Sequence, residues 1–321
     1  MKLRYYFVSL LCIAASSGSH AAEYPTRSVR MLIPFTAGSA ADIIARAMEP
    51  QLREKLGQAV VIDNRGGAGG NIAADMTAKS APDGYTLMMG TIGTHAINYS
   101  LYSKLPYHPL RDFTPIALVG DSPNVLVTTP RVQANSVKEF IALAKSKPGQ
   151  LNYGSSGAGT SVHLSGELFN SMAGVKTVHV PFKGASEALT ALLGGQLDFM
   201  FASLSSAIPM VKAGKLKAFA VTGAHRSPSV PDLPTMSEAG LPGYVAAAWY
   251  GILGPAGLPP PVVGTLSKAA LAVLATKDTQ DRLFASGVEV RPGTPDEFSR
   301  LIKSEIEKWA KVVKESGAKA D

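Results

Sequence analysis

The stretch "VRMLIPFTAGSAADIIAR" (29–46) contains a structural plan that the chain uses twice. The run 29–35 predicts a buried strand, small polar residues follow it, and 41–57 predicts a helix that is apolar on one face and ends at Gly57. The stretch "VPFKGASEAL" (180–189) repeats the order of strand, Pro-Phe, small residues and helix. Either an α/β chain produces this repeat by chance, or two similar lobes each place a strand-to-helix loop at a shared cleft.

Short β-rich runs alternate with helical runs on both sides of these stretches. Strands separated by helices indicate parallel βαβ units, so the predicted fold class is α/β. A chain of about 300 residues is long enough for two domains. The final helix is signalled by a capping box at 294–297 and by an apolar stripe behind it. Further strands are predicted at 59–64, 85–91, 116–130, 151–155, 177–182, 197–204 and 216–223.

The first 22 residues, "MKLRYYFVSLLCIAASSGSHAA", have the pattern of a secretory signal peptide. Basic residues precede a short apolar run, and small residues allow cleavage after Ala21 or Ala22. A membrane anchor is the alternative, but the run is too short to span a bilayer. A lipoprotein is disfavoured because Leu11 stands before Cys12. We therefore expect a soluble periplasmic protein whose signal peptide is removed.

The composition excludes several classes of site. Cys12 is the only cysteine, so the mature chain has no disulfide, cysteine metal site or cysteine nucleophile. The 31 basic and 24 acidic side chains are scattered, and the densest cluster, 303–314, alternates lysine with glutamate as a solvated helix face does. We therefore expect no nucleic-acid partner, no metal and no cofactor.

Small polar residues follow several of the predicted strands. The segments 36–41, 91–95, 154–161 and 183–186 are rich in glycine, serine and threonine. In open parallel sheets, ligands bind at the carboxyl ends of the strands. Glycine lets the backbone approach a ligand closely, and the N–H groups at a helix start favour an anion. These segments are therefore candidate loops of a binding site.

The stretch "YGSSGAGTSVHL" (153–164) could be a phosphate loop, a nucleophile with its base, or a cradle for a small anion. The chain contains no Gly-x-x-x-x-Gly-Lys, no complete dinucleotide fingerprint and no Gly-x-Ser-x-Gly. Ser161 and His163 are two residues apart and point in different directions on a helix. A cradle fits best, and a ligand-free helix cap remains the alternative. For His163 we favour a packing or capping role.

Seven stretches together resemble the Bug family, the extracytoplasmic solute receptors of tripartite tricarboxylate transporters. The resemblance covers essentially the whole mature chain. It is carried by "YPTRSVRMLIPFTAGSAADIIAR", "VVIDNRGGAGGNIAA", "APDGYTLMMGT", "KPGQLNYGSSGAGTSVHLSGELF", "VPFKGASEALTALLGGQLDFMF", "AGKLKAFAVTGAHRSPSVPDLPTMSEAGLPGY" and "EIEKWAKVVKESG".

The resemblance implies a two-lobed periplasmic binding protein, or Venus flytrap, in which each lobe is a mostly parallel sheet flanked by helices. Lobe 1 would be 23–122 plus 246–321, and lobe 2 would be 123–245. Such a protein is a monomer that binds a small organic carboxylate. It passes the ligand to the membrane subunits of a tripartite transporter or signals to a sensor kinase. An exported serine hydrolase is the alternative function.

The resemblance also implies which residues bind the carboxylate. Thr91 and Thr94 are added to these candidates because they follow a predicted strand. Two departures from the family pattern matter. Ser39 replaces a second glycine, and Ala202 replaces an aspartate that would suit a ligand ammonium, so we expect a carboxylate without a nearby amine. For Asp42, compensation of the helix dipole is favoured over ligand contact. The candidate residues are Phe35, Thr36, Ala37, Gly38, Ser39, Thr91, Thr94, Ser155, Ser156, Gly157, Gly159, Thr160, Ser161, Lys183, Gly184, Ala202, Ser203 and Trp249, the last matching an aromatic wall.

Overall fold

Two sheets that share one strand organise the protein. The computed structural model describes residues 24–182 and 184–320, so the predicted signal peptide (1–22) and Lys183 lie outside the described residues. The strands are β1 (Val29–Ile33), β2 (Val60–Asn64), β3 (Thr86–Thr91), β4 (Phe113–Thr128), β5 (Asn152–Ser155), β6 (Val178–Pro181), β7 (Phe199–Ser203), β8 (Lys217–Val221), β9 (Ala247–Pro255) and β10 (Glu289–Gly293).

Helices cover both sheets. Among the described residues, no helix is long and apolar enough to cross a membrane. A short 3-10 turn (Ala68–Gly70) and a π-helical turn (Gly93–Ile97) connect some of the elements. The helices are α1 (Ala40–Leu56), α2 (Asn71–Ala78), α3 (Asn98–Leu101), α4 (Val137–Ser146), α5 (Ser161–Ala173), α6 (Ala185–Leu193), α7 (Leu204–Lys212), α8 (Pro260–Leu274), α9 (Lys277–Ala285) and α10 (Pro295–Ser316).

Each sheet combines three parallel strands with antiparallel ones. In the first sheet the order is β2-β1-β3-β9-β4-β10, and in the second it is β6-β5-β7-β4-β8. The strands β2, β1 and β3, and likewise β6, β5 and β7, run parallel, whereas the pairings of β4 and β9 are antiparallel. The predicted α/β fold is confirmed. The expected mostly parallel arrangement also holds by direction. In the first sheet β4 runs the same way as β2, β1 and β3, and only β9 and β10 run against them. In the second sheet β8 runs the same way as β6, β5 and β7, and only β4 runs against them.

The chain leaves the first sheet and returns to it at neighbouring points. The first part of β4 pairs with β9 up to Pro123, and the second part pairs with β7 from Asn124 onward. Thr222 lies beside the crossing: its hydroxyl accepts a hydrogen bond from the Asn124 amide and donates one to the Ala246 carbonyl, each 2.8 Å long. The outgoing and returning segments are thus joined side by side.

The strongest local signals of the sequence match the ends of the helices. Ser39 caps α1, and Gly57 ends it in the left-handed conformation with φ of 66°. The predicted capping box of α10 is present between Thr294 and Glu297. Phe298 and Trp309 of α10 are fully buried. This last helix packs on β4 and α3 and also on α5, so it contacts elements of both sheets.

Candidate functional site

The loops that follow β1, β2 and β3 lie side by side. A Cβ atom placed on Gly66, after β2, would lie 3.4 Å from the amide nitrogen of Thr36, after β1. A Cβ atom on Gly70 would lie 2.7 Å from Cγ2 of Thr94, after β3, which is closer than real atoms approach. Glycine at these two positions therefore allows the three loops to form one surface at the carboxyl end of the first sheet.

Asp42 fixes the shape of the first loop, 35–39. Its carboxylate accepts hydrogen bonds from the Gly38 amide at 2.9 Å, from Nε of Arg46 at 3.0 Å and from the Asn64 side chain at 3.0 Å. Asn64 also donates to the Phe35 carbonyl at 3.0 Å. Burial by itself raises the pKa of Asp42, but the hydrogen bonds from Arg46, Gly38 and Asn64 outweigh burial and hold the pKa below its usual value. Asp42 is therefore an ionised support of the loop.

The first loop presents uncharged donors. Thr36, Ala37 and Gly38 are exposed, and Ser39 is half-buried. Among the described residues, the amides of Thr36 and Ala37 and the Thr36 hydroxyl have no hydrogen-bond partner. The Ser39 hydroxyl accepts the Asp42 amide at 3.4 Å as the cap of α1. Donors at the start of a seventeen-residue helix are suited to an anion.

The two threonines after β3 bond to each other. The Thr94 hydroxyl accepts the Thr91 amide at 3.0 Å, donates to the Thr91 carbonyl and lies 2.9 Å from Nδ1 of His95. Both threonines are buried, and burial lowers the pKa of His95 to about 3, which keeps its imidazole neutral. Their hydroxyls therefore shape the π-helical turn that begins at Gly93.

The glycine-rich loop after β5 is held by its own hydroxyls. Ser155 is fully buried, and its Oγ accepts the Gly157 amide at 3.1 Å and lies 2.6 Å from Nε2 of His179. The Thr160 hydroxyl donates to the Gly157 carbonyl at 2.7 Å and caps α5. Gly159 has φ of 80° and donates to Nδ1 of His163 at 3.2 Å. The hydroxyls of Ser155 and Thr160 are thus hydrogen-bonded to the backbone of the loop.

A buried polar cluster lies beneath this loop. The rings of His163 and His179 stack with centroids 3.8 Å apart. The Tyr153 hydroxyl donates to Glu167 at 2.5 Å and to the His163 carbonyl at 3.3 Å. Burial, with the neighbouring His163, lowers the pKa of His179 to about 3. His163 therefore packs and fixes the loop, the role favoured from the sequence.

The pairing of Ser155 with His179 and the roles of Tyr153 and Glu167 were not predicted from the sequence. The spacing of His163 and Glu167, four residues apart on one helix face, was the available signal. The position of His179 on the neighbouring strand is a tertiary fact that no local pattern contains.

Ser156 and Ser161 are the hydroxyl residues of this loop that stay available. Both are half-buried, and neither hydroxyl has a hydrogen-bond partner in the described part of the chain. Ser161 is the first residue of α5, a helix of thirteen residues, so the unpaired amides of its first turn lie beside it. A Cβ atom on Gly157 would lie 3.7 Å from the Phe182 carbonyl, which brings the loop after β6, with Gly184, alongside.

The loops of the two sheets touch each other. A Cβ atom on Gly93 would lie 3.3 Å from the Gly159 carbonyl, and a Cβ atom on Gly159 would lie 2.8 Å from Oδ1 of Asn98. Close approach of backbone to backbone at this point requires the two glycines. The predicted loops of both sheets therefore converge on one region.

Three candidate residues belong to the strands β7 and β9 and not to the loops. Ala202 is fully buried and packs in the apolar cluster of the second sheet. The Ser203 hydroxyl lies 2.7 Å from that of Ser206, at the start of α7. The Trp249 indole is 4% exposed, packs edge-on against Phe298 and lines a separate cavity. Tyr250, the next residue of β9, pairs with Thr91 at the loop end of β3, whereas the Trp249 side chain packs on Phe298 of α10, so the aromatic wall stays a prediction.

Two sheets with opposing, anion-suited loops define a two-lobed solute-binding protein of the periplasmic type. Within 24–182 and 184–320, no group of three or more histidine and carboxylate side chains is arranged to hold a metal ion. The chain belongs to the receptor family of tripartite tricarboxylate transporters, because the model "Tripartite tricarboxylate transporter family receptor" matches residues 44–318.

Individual relatives agree with this assignment. Protein BugT of Bordetella pertussis is 37% identical, over 98% of this chain and 96% of its own length. The structure of R. palustris Rpa4515 with adipate has 39% identity and a TM-score of 0.85, covering 92% of this chain and 99% of that one. MatC (Rpa3494) from Rhodopseudomonas palustris with bound malate has 37% identity and a TM-score of 0.81, covering 90% of this chain and 100% of that one. The resemblance to the Bug family is confirmed, and the chain is a receptor, not an enzyme.

Proposed function

We propose that this receptor captures a small dicarboxylate between its two lobes. Two relatives were solved with dicarboxylates, adipate and malate, which supports this ligand class. The converging loops support it as well, because each presents neutral donors at the start of a helix. Hydrogen bonds to a charged acceptor contribute about 1.5–3 kcal/mol each, so a few such donors can replace a positive side chain.

In this proposal the donors come from both sheets. The amides of Thr36 and Ala37 and the Thr36 hydroxyl serve one end of the ligand, with Phe35, Gly38 and Ser39 shaping that loop. Ser156, Ser161 and the first amides of α5 serve the other. Gly184 would close the second side, and Lys183, outside the described residues, stays a candidate from the sequence alone. The side chains of Thr91, Thr94, Ser155 and Thr160 support the loops, because their hydroxyls already bond within the protein.

The absence of a free carboxylate near the donors favours a ligand without an amine. Ala202 has no charge, and Asp42 is engaged by Arg46, Gly38 and Asn64. An ammonium group beside these loops would meet an uncharged Ala202 and an Asp42 already paired with Arg46, at a cost in desolvation. We therefore propose adipate-like or malate-like acids over acidic amino acids.

Closure of the lobes is the proposed mechanism. The crossing at Pro123 and Asn124, with the return through Thr222 to Ala246, supports lobe boundaries at 122/123 and 245/246. Neither set of donors alone satisfies a dianion, so the ligand binds the closed state better and shifts the population towards it. The closed protein, exported to the periplasm as a monomer, would then be recognised by the membrane subunits of a tripartite transporter; a sensor kinase is the alternative partner.

Calorimetry of the mature protein with adipate, malate and aspartate tests the ligand class. We expect saturable binding of at least one of the two dicarboxylates and weaker or absent binding of aspartate. Tighter binding of aspartate would contradict the amine-free proposal. Chemical conversion of any of the three acids would contradict the role as a receptor.

A further inference from the structure

A cavity of about 370 Å³ lies beside the strand crossing and apart from the loops of the candidate site. Its walls come from both proposed lobes. Residues 223–225 and Val245 contribute from lobe 2, and β10 with one side of α10 contributes from lobe 1. Of the candidate binding residues, Trp249 alone lines it. This rear cavity, as we call it, is a gap between the lobes.

The crossing strand separates the rear cavity from the binding loops. Gly120 of β4 pairs with Tyr250 of β9 and with Val290 of β10, so β10 flanks β4 on the edge away from β9. In the second sheet, Val125 pairs with Ala202 of β7 and with Val221 of β8, so β8 flanks β4 away from β7. The binding loops belong to the β9 and β7 sides. The rear cavity lies at the ends of β10 and β8 and reaches β9 at Ala247 and Trp249.

The two sides of the crossing differ in how closely the lobes approach. At the front, a Cβ atom added to Gly93 would lie 3.3 Å from the Gly159 carbonyl. Near the other end of α5, Ser171 donates a hydrogen bond to Glu315 of α10 at 2.9 Å, which also joins the lobes. At the rear the lobes stand apart around the cavity. The first-lobe wall of the cavity is braced by an ion pair of 2.8 Å between Arg291 and Asp121. The structure is thus closed at the front and open at the rear.

We propose that the rear cavity is the space into which residues 223–225 move when the front opens, so that filling it holds the protein closed. The inference rests on the proposed lobe closure. A rotation about the crossing that separates Gly93 from Gly159 must bring the opposite ends of the lobes together. A side chain that occupies the cavity opposes that approach and destabilises the open state.

The consequence for binding follows from the population of closed protein. A receptor that is closed for only a fraction of the time binds its ligand more weakly by that fraction. If the free protein is closed about 10% of the time, a variant locked in the closed state gains at most about tenfold in affinity. The gain needs no new contact with the ligand.

The test introduces a large side chain at Ala224, which is exposed and lines the rear cavity. Ala224→Trp is compared with Ala213→Trp, a matched control at an exposed alanine of the same lobe that does not line the cavity. Small-angle X-ray scattering measures the radius of gyration of each free protein, and calorimetry measures affinity for adipate. If Ala224→Trp fails to fold by circular dichroism, Ala224→Leu replaces it.

We expect free Ala224→Trp to have a smaller radius of gyration than the wild type, and Ala213→Trp to match the wild type. Adipate affinity should rise severalfold in Ala224→Trp alone. Equal scattering of the free wild type and Ala224→Trp, or a larger radius in the variant, overturns the inference. Failure of the wild type to bind any dicarboxylate counts against the proposed function instead, because the scattering of the free proteins does not depend on the ligand.

Discussion

The Ser155 hydroxyl lies 2.6 Å from Nε2 of His179, inside the protein and beneath the glycine-rich loop. A serine and a histidine at this distance serve as nucleophile and base in many hydrolases. Here the serine is fully buried, and its oxygen also bonds to the backbone of Gly157. The pair therefore supports the glycine-rich loop, which explains why a receptor contains a serine and a histidine spaced like a catalytic pair.

Ser155→Ala should reduce both stability and affinity. The change leaves His179 without its partner and loosens the loop, which costs about 1–3 kcal/mol of the free energy of unfolding. Ser161→Ala is the matched control: its hydroxyl has no partner among the described residues, so we expect weaker carboxylate binding with stability within about 0.5 kcal/mol of the wild type. Urea unfolding and calorimetry measure the two effects. Unchanged stability of Ser155→Ala would contradict the supporting role.

Asp42→Asn should disorder the first loop. The substitution weakens the hydrogen bond from Gly38 and removes the ion pair with Arg46 and the negative charge at the start of α1. The combined cost is about 1–2 kcal/mol of unfolding free energy, and affinity for the ligand should fall with it. Asp281→Asn, which breaks an exposed ion pair with Lys277, is the control and should change little.

The same carboxylate gives a pH signature. Because the folded pKa of Asp42 is lowered, its contribution to stability is present above the unfolded value of about 3.9 and is lost as the pH falls through the folded pKa. Wild type and Asp42→Asn should therefore differ most above pH about 4 and converge below it. A difference that grows on acidification would show that Asp42 is not stabilised in its ionised form.

Two histidines, the buried His95 and the half-buried His179, predict a second, wider loss of stability in acid. Burial lowers the pKa of His95 and of His179 to about 3 from 6.5. Between these pH values the unfolded chain therefore binds protons that the folded chain does not bind. The unfolding free energy should fall as the pH drops from about 6.5 to about 3, by about 1.4 kcal/mol per pH unit for each histidine. His179→Gln keeps a hydrogen-bond partner for Ser155 and removes one titrating group. The slope should therefore fall by about 1.4 kcal/mol per pH unit. An unchanged slope would argue against a neutral buried His179.

Gly159→Ala should prevent the front of the lobes from meeting. The new Cβ atom would lie 2.8 Å from Oδ1 of Asn98, and φ is 80°. Gly174→Ala, at the other end of α5, is the control. Its φ is 63° and the space around the new atom is open, so this variant has the backbone strain without a steric clash. Both variants should lose about 1 kcal/mol of stability, but only Gly159→Ala should lose affinity more than tenfold. Equal affinities in the two variants would contradict a closing contact at Gly159.

The sequence predicted what depends on local chemistry. Gly57 marks the end of α1, and Thr294 with Glu297 marks the start of α10, because caps act within a few residues. The small-residue segments after the strands were visible for the same reason. The short β10 was missed, since it contains Pro292 and charged residues and lacks an apolar alternation.

The remaining differences come from tertiary structure. The side-chain direction of Trp249 could not be read from β9, because that strand is buried on both faces and shows no alternation. The supporting roles of Ser155 and Thr94 depend on partners that the local sequence does not identify as such. A hydroxyl in a candidate loop looks the same in the sequence whether it faces a ligand or its own backbone.

Thr222 fastens the outgoing and returning chains to each other with four hydrogen bonds of 2.8 Å, two through its hydroxyl and two through its backbone. Segments joined in this way resist sliding past one another, so the proposed closure would be a bending at this point. Under that proposal, each closure would bring the lobes to the same relative orientation. A membrane protein that inspects the loaded receptor would meet one reproducible outline, whichever acid is inside.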